Sequence, residues 1–312
     1  MEEMWKYWGG ESARLYRKGF SRVGWALTAM LCLQLGVQLL VFALAEALHP
    51  AWLESQLFWF VTTLVASYGV AFPTAILILR GFRPQDSHPQ KKLTGREGLE
   101  IWFMGLGWMY IANLITLSAM SALEAMRGKP ISNPLAEMAG QPVLYNLLLG
   151  CILAPVAEEL LFRRAIIDHL RPWGEGFAVV ASALLFSLSH ANLFQMLYAF
   201  TVGVILGGVY LRTGQVRYTM LLHAGLNLVS LALMPAVELL GKWGDWFLSA
   251  MVLAAIIWAF RWTFRCRAGF QGVFQELRWG NGEIWGHFFV NSGMTAFVLA
   301  VIGAVFFTAL SG

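Results

Sequence analysis

Residues 56–79 read QLFWFVTTLVASYGVAFPTAILIL. No Asp, Glu, Lys, Arg or His interrupts them, and as a helix rising about 1.5 Å per residue they are long enough to cross the roughly 30 Å hydrocarbon core of a bilayer. In lipid every backbone N–H and C=O must be satisfied within the segment, which a helix achieves and a lone strand does not. The run also lacks the alternation of a barrel strand. It therefore predicts a transmembrane helix. Outward from it the pattern recurs, with candidate spans at about 23–48, 56–79, 99–123, 143–164, 175–190, 194–211, 218–240, 246–260 and 287–310.

Composition agrees. Of 312 residues, 58% are hydrophobic and 13% charged, against roughly 45–50% and about 25% in a soluble domain. The reading is an all-α, polytopic transmembrane helical bundle of eight or nine spans. It forms one integral membrane domain, divided into N-terminal spans (1–140), a polar core segment (141–235) and C-terminal spans (236–312).

The net charge of +4 reads as topology. Lys and Arg gather in alternate connections: Lys6, Arg14, Arg17, Lys18 and Arg22 before the first span; Arg80, Arg83, Lys91, Lys92 and Arg96 after the second; Arg212 and Arg217 after the sixth; Arg261, Arg265, Arg267 and Arg278 after the eighth. The stretch 49–55 has none. By the positive-inside rule the expectation is a multi-pass protein of the cell (inner) membrane with a cytoplasmic N terminus. No basic stretch interleaved with aromatics is long enough to track a nucleic-acid backbone. The first apolar run is too long for a cleaved signal peptide. Cys32, Cys151 and Cys266 lack CxxC spacing and read as small buried hydrophobes. Trp52, Trp59, Trp243, Trp246, Trp262 and Trp285 read as an interfacial belt, and Gly203-x-x-x-Gly207 as a close helix contact.

An ionisable residue inside a span is costly and marks function. Such residues concentrate between 150 and 230. In Ala154-Pro155-Val156-Ala157-Glu158-Glu159-Leu160-Leu161-Phe162-Arg163-Arg164, adjacent glutamates point about 100° apart on a helix, so they cannot share one role. Glu159 stacks on Arg163 four residues on, as an ion pair. Glu158 is left without a local partner, available as a base. Pro155 removes a helical hydrogen bond just before the pair. Phe186-Ser187-Leu188-Ser189-His190 closes the next span, and His223-Ala224-Gly225-Leu226-Asn227 puts two polar side chains on one helix face. Facing one another is the cheapest arrangement for polar groups on three apolar helices. A Glu, two His and an Asn around one cavity can position a water, take its proton and donate to an oxyanion. Ser187 and Ser189 carry no sign of activation and read as packing residues. Asp168 and His169 read as solvated, His287 as interfacial, and Asn113, Asn146 and Asn291 as interhelical hydrogen-bond partners.

Glu-Glu-x-x-x-Arg, Phe-x-x-x-His and His-x-x-x-Asn in this order resemble the CAAX protease and bacteriocin-processing (CPBP, or Abi) family of intramembrane endopeptidases, which includes the Ras-converting-endopeptidase-like enzymes. The resemblance covers about 145–235. It implies hydrolysis of a membrane-embedded peptide or lipidated protein in the bilayer: a CAAX prenyl substrate or a leader peptide. It implies that Glu158 activates the water, His190 helps hold it, His223 and Asn227 stabilise the oxyanion, and Glu159, Arg163 and Phe186 support the site. Family members have been described both as metalloproteases and as metal-free glutamate-dependent enzymes. Zinc held by Glu158, His190 and His223 is therefore the alternative to the favoured reading without a cofactor. A proton- or ion-coupled transporter and a catalytically silent scaffold of the same fold are the competing classes. Many transporters repeat their polar helices in both halves, which this chain does not.

The span register carries a difficulty. His190 falls near the outer end of its helix, whereas His223 and Glu158 lie near cytoplasmic ends. For them to meet, the fifth span must be short or tilted, or the fourth must continue past Arg164.

Overall fold

A computed structural model describes residues 11–80, 91–134, 141–265 and 282–310. Lys6, Arg83, Cys266, Arg267, Arg278 and the boundary at 140 lie outside the described residues. The main helices are α1 (Glu11–Leu48), α2 (Gln56–Leu79), α3 (Gly95–Arg127), α4 (Val143–Trp173), α5 (Glu175–Ser189), α6 (Leu193–Thr213), α7 (Val216–Val237), α8 (Lys242–Arg265), α9 (Gly282–Phe289) and α10 (Ser292–Leu310). No strand occurs among the described residues. Among the described residues, seven helices are long and apolar enough to cross a membrane on length and composition, which does not confirm the count of eight or nine. The fifth and ninth candidate spans are the shorter apolar helices α5 and α10.

Prolines shape three of these helices in one way. A π-helical stretch precedes each: Leu64–Ala71 before Pro73, Leu147–Leu153 before Pro155, and Val229–Leu233 before Pro235. The proline ring clashes with the carbonyl of the preceding turn, and widening that turn relieves the clash, while the missing N–H leaves one carbonyl without its backbone donor. A fourth π stretch, Glu159–Ile167, has no such proline and carries Glu159 and Arg163.

The chain divides into two compact units. One holds Met1–Gln85, Ala165–Ala178 and Gly272–Gly303. Its core is an edge-on aromatic cluster: Phe20 meets Trp173 at 4.7 Å and Phe288 at 5.5 Å, and Phe177 meets Trp285 at 4.8 Å. At the crossing of α1 and α10, Gly24 and Gly293 face each other's backbones so closely that a methyl on either would overlap the other helix. His169 is buried against the Gly19 carbonyl, 3.0 Å from Nε2, rather than solvated. The reason is that α4 continues past Arg164 and carries His169 into this core. His287 is buried too, and accepts from Arg17 Nε at 3.2 Å. Asn291, in the bend between α9 and α10, bonds locally: its Nδ2 donates to the His287 and Phe288 carbonyls and its Oδ1 accepts from Met294 N–H, instead of reaching across an interface.

The other unit holds Asp86–Arg164, Val179–Gln271 and Ala304–Gly312. α3 is its axis. Thr94 and Glu97 form a capping box at its start, and Gly128 closes its end with a left-handed φ of 68°. Gly107 lets Ala255 and Ala259 of α8 approach where a Cβ would meet the Ala255 carbonyl at 2.2 Å. Gly203 of α6 rests on Ala183 and Phe186 in the same manner, the close contact its spacing predicts. Its partner Gly207 is buried as well.

Trp52, Trp243 and Trp246 are exposed as a belt requires. Trp262 and Trp285 instead pack against protein. Cys32 is exposed on α1 and Cys151 half-buried, so neither is the fully buried hydrophobe expected; both thiols are free.

Candidate active site

Glu158, Glu159, Arg163, Phe186, His190, His223 and Asn227 all lie in the second unit, whereas Asp168 and His169 belong to the first. Glu159 and Arg163 are both 0% exposed, with Arg163 Nε 3.1 Å from Glu159 Oε2. The contact is an ion pair by distance, but its N–H bonds do not point at the carboxylate. The guanidinium lies instead over the Phe186 ring, 4.8 Å from its centroid. Coulomb attraction and a cation–π contact together hold the buried charge.

His223 joins both glutamates. Its Nδ1 is 3.0 Å from Glu159 Oε1 and its Nε2 is 3.7 Å from Glu158 Oε2. An ionised carboxylate only accepts, so Nδ1 carries a proton towards Glu159, while Nε2 faces Glu158. The glutamates differ in access: the Glu158 side chain is 17% exposed and Glu159 is sealed. Thr219, one turn before His223, donates to the Val216 carbonyl and lies beside Glu159. Thr219, His223 and Asn227 thus form one polar stripe at four-residue spacing on α7. That period is visible in the sequence, and Thr219 is the member that reading missed.

Asn227 donates from Nδ2 to the Gly150 carbonyl at 2.7 Å. Pro155 explains why that carbonyl is available. In the π register Ala154 N–H bonds to the Leu149 carbonyl, and the next donor would be residue 155, which has none. Asn227 takes its place. A Cβ at Gly150 would meet Leu231 Cδ1 at 2.4 Å, so a larger residue there would displace that side chain.

His190 follows the last turn of α5, with Nδ1 2.8 Å from the Phe186 carbonyl. A carbonyl accepts, so Nδ1 carries a proton and Nε2 is the ring nitrogen left to face the site. Phe186 stands edge-on to both imidazoles, 4.8 Å from His190 and 5.8 Å from His223. With Arg163 on its face, this ring is the centre around which the three motifs assemble. Ala191 then reverses the chain with φ of 46°, a strained left-handed conformation for a residue with a Cβ, placed directly after His190.

Behind the polar face of α7, the Trp102 indole covers Gly225, where a Cβ would meet Nε1 at 2.7 Å. As to zinc, no group of three His, Cys, Asp or Glu side chains arranged to hold a metal occurs among the described residues.

The fold and site define a polytopic helical membrane protein with a buried acid–imidazole centre, joined from three helices. Residues 140–229 match the family model for Rce1-like, type II CAAX prenyl endopeptidases. That segment contains all three motifs, and the match supports an endopeptidase at the level of the family. No curated protein and no solved structure matches the chain.

Proposed function

We propose that the chain is an intramembrane endopeptidase that hydrolyses a peptide bond of a membrane-bound or lipidated peptide, with Glu158 activating the water. The observation that carries this reading is the His223 bridge between a sealed glutamate and an accessible one. Only Glu158 of the pair can meet a water. His190 Nε2 accepts a hydrogen bond from the water and orients it, while Glu158 takes one proton as the oxygen attacks the carbonyl carbon; the other proton stays on that oxygen. The proton passes to the nitrogen of the breaking C–N bond, directly or through His223 Nε2. An imidazolium at His223 lies between two carboxylates, and its Nε2–H becomes a donor to the oxyanion. Asn227 keeps a second amide N–H for the same purpose while its first holds Gly150. Glu159 and Arg163 fix the tautomer of His223 and balance charge.

Two free imidazole nitrogens and a carboxylate are donors zinc accepts, but three do not gather as ligands among the described residues. The proposed steps therefore use the side chains alone. A prenylated CAAX-type C terminus is the substrate class favoured by the family match, with a leader peptide as the other. The proposed setting is the cell membrane, with the N terminus cytoplasmic.

The test is cleavage of a quenched, prenylated CAAX-type peptide by the purified full chain, with Glu158→Gln and His223→Ala alongside. Each variant is expected to lose on the order of 10²–10⁴-fold in kcat, and a zinc chelator is expected to leave the wild type active. Activity that survives Glu158→Gln overturns the reading. Activity lost to the chelator and restored by zinc replaces the side-chain mechanism with a metal one.

A further inference from the structure

A hydroxyl of α5 bonds in an unusual direction. Ser182 Oγ donates to the Phe162 carbonyl of α4 at 2.7 Å, and both residues are fully buried. A serine or threonine inside a helix commonly turns its hydroxyl back to the carbonyl four residues earlier. Thr116, Ser189 and Thr213 do so, to Ala112, Leu185 and Val209. Ser182 instead reaches a different helix, at a carbonyl within the π stretch Glu159–Ile167. Four residues on, Phe186 meets the Phe162 ring edge-on at 5.2 Å and carries Arg163 on its face. One face of α5 therefore grips Phe162 twice, by its carbonyl and by its ring.

The sequence of α4 explains why this stretch needs an outside hold. In the other three π stretches a proline stands two residues beyond the last π residue: Pro73 after Ala71, Pro155 after Leu153 and Pro235 after Leu233. After Ile167 that position is His169, which keeps its backbone N–H, and Pro172 lies further on in the closing 3-10 turn. A side chain that inserts into the hydrogen-bond ladder of a helix distorts it as a proline does. The register changes between the two glutamates: Glu158 ends the α-helical run Ala154–Glu158 and Glu159 begins the π run. A π turn holds more residues than an α turn and rotates the chain less at each. The register therefore sets the angle at which Glu159 and Arg163 stand to Glu158. His223 depends on that angle, with Nδ1 3.0 Å from Glu159 and Nε2 3.7 Å from Glu158.

We propose that Ser182 is a positioning residue: its hydroxyl, bound to the Phe162 carbonyl, holds α4 in the π register that lets one imidazole meet both glutamates. This rests on the reading of Glu158 as the base. Ser182 belongs to none of the Glu-Glu-x-x-x-Arg, Phe-x-x-x-His and His-x-x-x-Asn motifs.

The test uses the full chain in phosphatidylethanolamine–phosphatidylglycerol liposomes with a quenched, farnesylated CAAX-type peptide. Ser182→Ala removes the hydroxyl with little change in volume. It is expected to lower kcat by roughly threefold to tenfold, the net worth of one neutral hydrogen bond. KM should stay within about twofold, because a buried serine does not touch the substrate. Two signals are read without turnover. With isotope-labelled phenylalanine carbonyls, the infrared amide band of Phe162 is isolated by subtracting Phe162→Leu. It should lie below the ordinary helical frequency in the wild type, because the carbonyl takes a hydroxyl bond, and rise in Ser182→Ala. The imidazole nitrogen resonances of His223, assigned by His223→Ala, should move in Ser182→Ala as the glutamates turn. A serine that only adds stability would lower the thermal midpoint of Ser182→Ala and leave kcat and the His223 resonances as in the wild type, and that result overturns the proposal. A wild-type Phe162 band at the ordinary helical frequency overturns it too, whether or not Ser182→Ala folds. An active Glu158→Gln protein overturns the base reading itself and leaves the Phe162 and His223 signals to decide the register. An inactive Glu158→Gln beside an unaltered Ser182→Ala overturns only the role of the serine.

Discussion

Glu158 and Glu159 are the same residue type in consecutive positions, yet their surroundings set opposite demands. Glu159 is fully buried against the buried Arg163, whereas Glu158 keeps 17% of its side chain exposed. Glu159→Gln leaves a buried guanidinium without its counter-charge, at a cost of about 3–5 kcal/mol. It should therefore lower both the thermal unfolding midpoint of the detergent-solubilised chain and kcat. Glu158→Gln should abolish kcat while costing less than about 1 kcal/mol, as expected for a partly exposed group. Equal thermal losses in the two variants would contradict this division. The division was legible in the sequence because Arg163 lies four residues after Glu159, a local relation a helix enforces. That His223 touches both glutamates was not legible. Its partners are 64 and 65 residues away, and only the packing of α7 on α4 decides which nitrogen meets which oxygen.

At the scale of elements, the proline of α4 and the asparagine of α7 solve one problem together. Pro155 cannot donate to the Gly150 carbonyl and Asn227 does so instead, at 2.7 Å. Asn227→Ala alone leaves that carbonyl unsatisfied and should destabilise by about 1–3 kcal/mol. Pro155→Ala restores a backbone N–H at the position. In that background the cost of Asn227→Ala should fall below about 1 kcal/mol, and the coupling is the quantity a double-mutant cycle on thermal unfolding reads. Full additivity would mean that Asn227 and Pro155 are independent. Apolar length made the helices readable, and Pro155 announced a distortion. The π register did not show, since it comes from relieving a clash rather than from any residue preference. The end of α4 was misplaced for a related reason. Arg163 and Arg164 look like an interface, but Arg163 is buried on a ring and the helix continues through Ile166, Ile167 and Leu170, all at 0% exposure. His169 was thereby read as solvated when it is core.

For the whole molecule the open quantity is how many helices cross the bilayer. Seven of the described helices are long enough, while α5 has 15 residues and spans only about 22 Å, short of the roughly 30 Å core. Charge decides its role. With the N terminus inside and α1 to α4 crossing, the connection around Arg80 to Arg96 is inside and the turn after α4 is inside. If α5 did not cross, Arg212 and Arg217 would lie outside, as would Arg261 and Arg265, against the positive-inside rule. If α5 crosses, all four return to the cytoplasmic side. Its length is then no obstacle, because the helix is wrapped by protein: Phe177, Ala178, Ala181, Ser182, Ala183, Leu185 and Phe186 are each 2% exposed or less. A span that meets little lipid need not match its thickness. A short α5 that crosses would also end within the membrane, the arrangement the register of the three motifs calls for. The prediction is read in a cysteine-free background with single cysteines at four exposed positions. Glu54→Cys and Lys242→Cys should react with a membrane-impermeant maleimide from outside intact cells, whereas Lys92→Cys and Arg217→Cys should react only after permeabilisation. Labelling of Arg217→Cys from outside, with Lys242→Cys protected, would mean that α5 lies within one side of the membrane. The imidazole of His190 would then have to reach the site from a helix that enters and leaves by the same face.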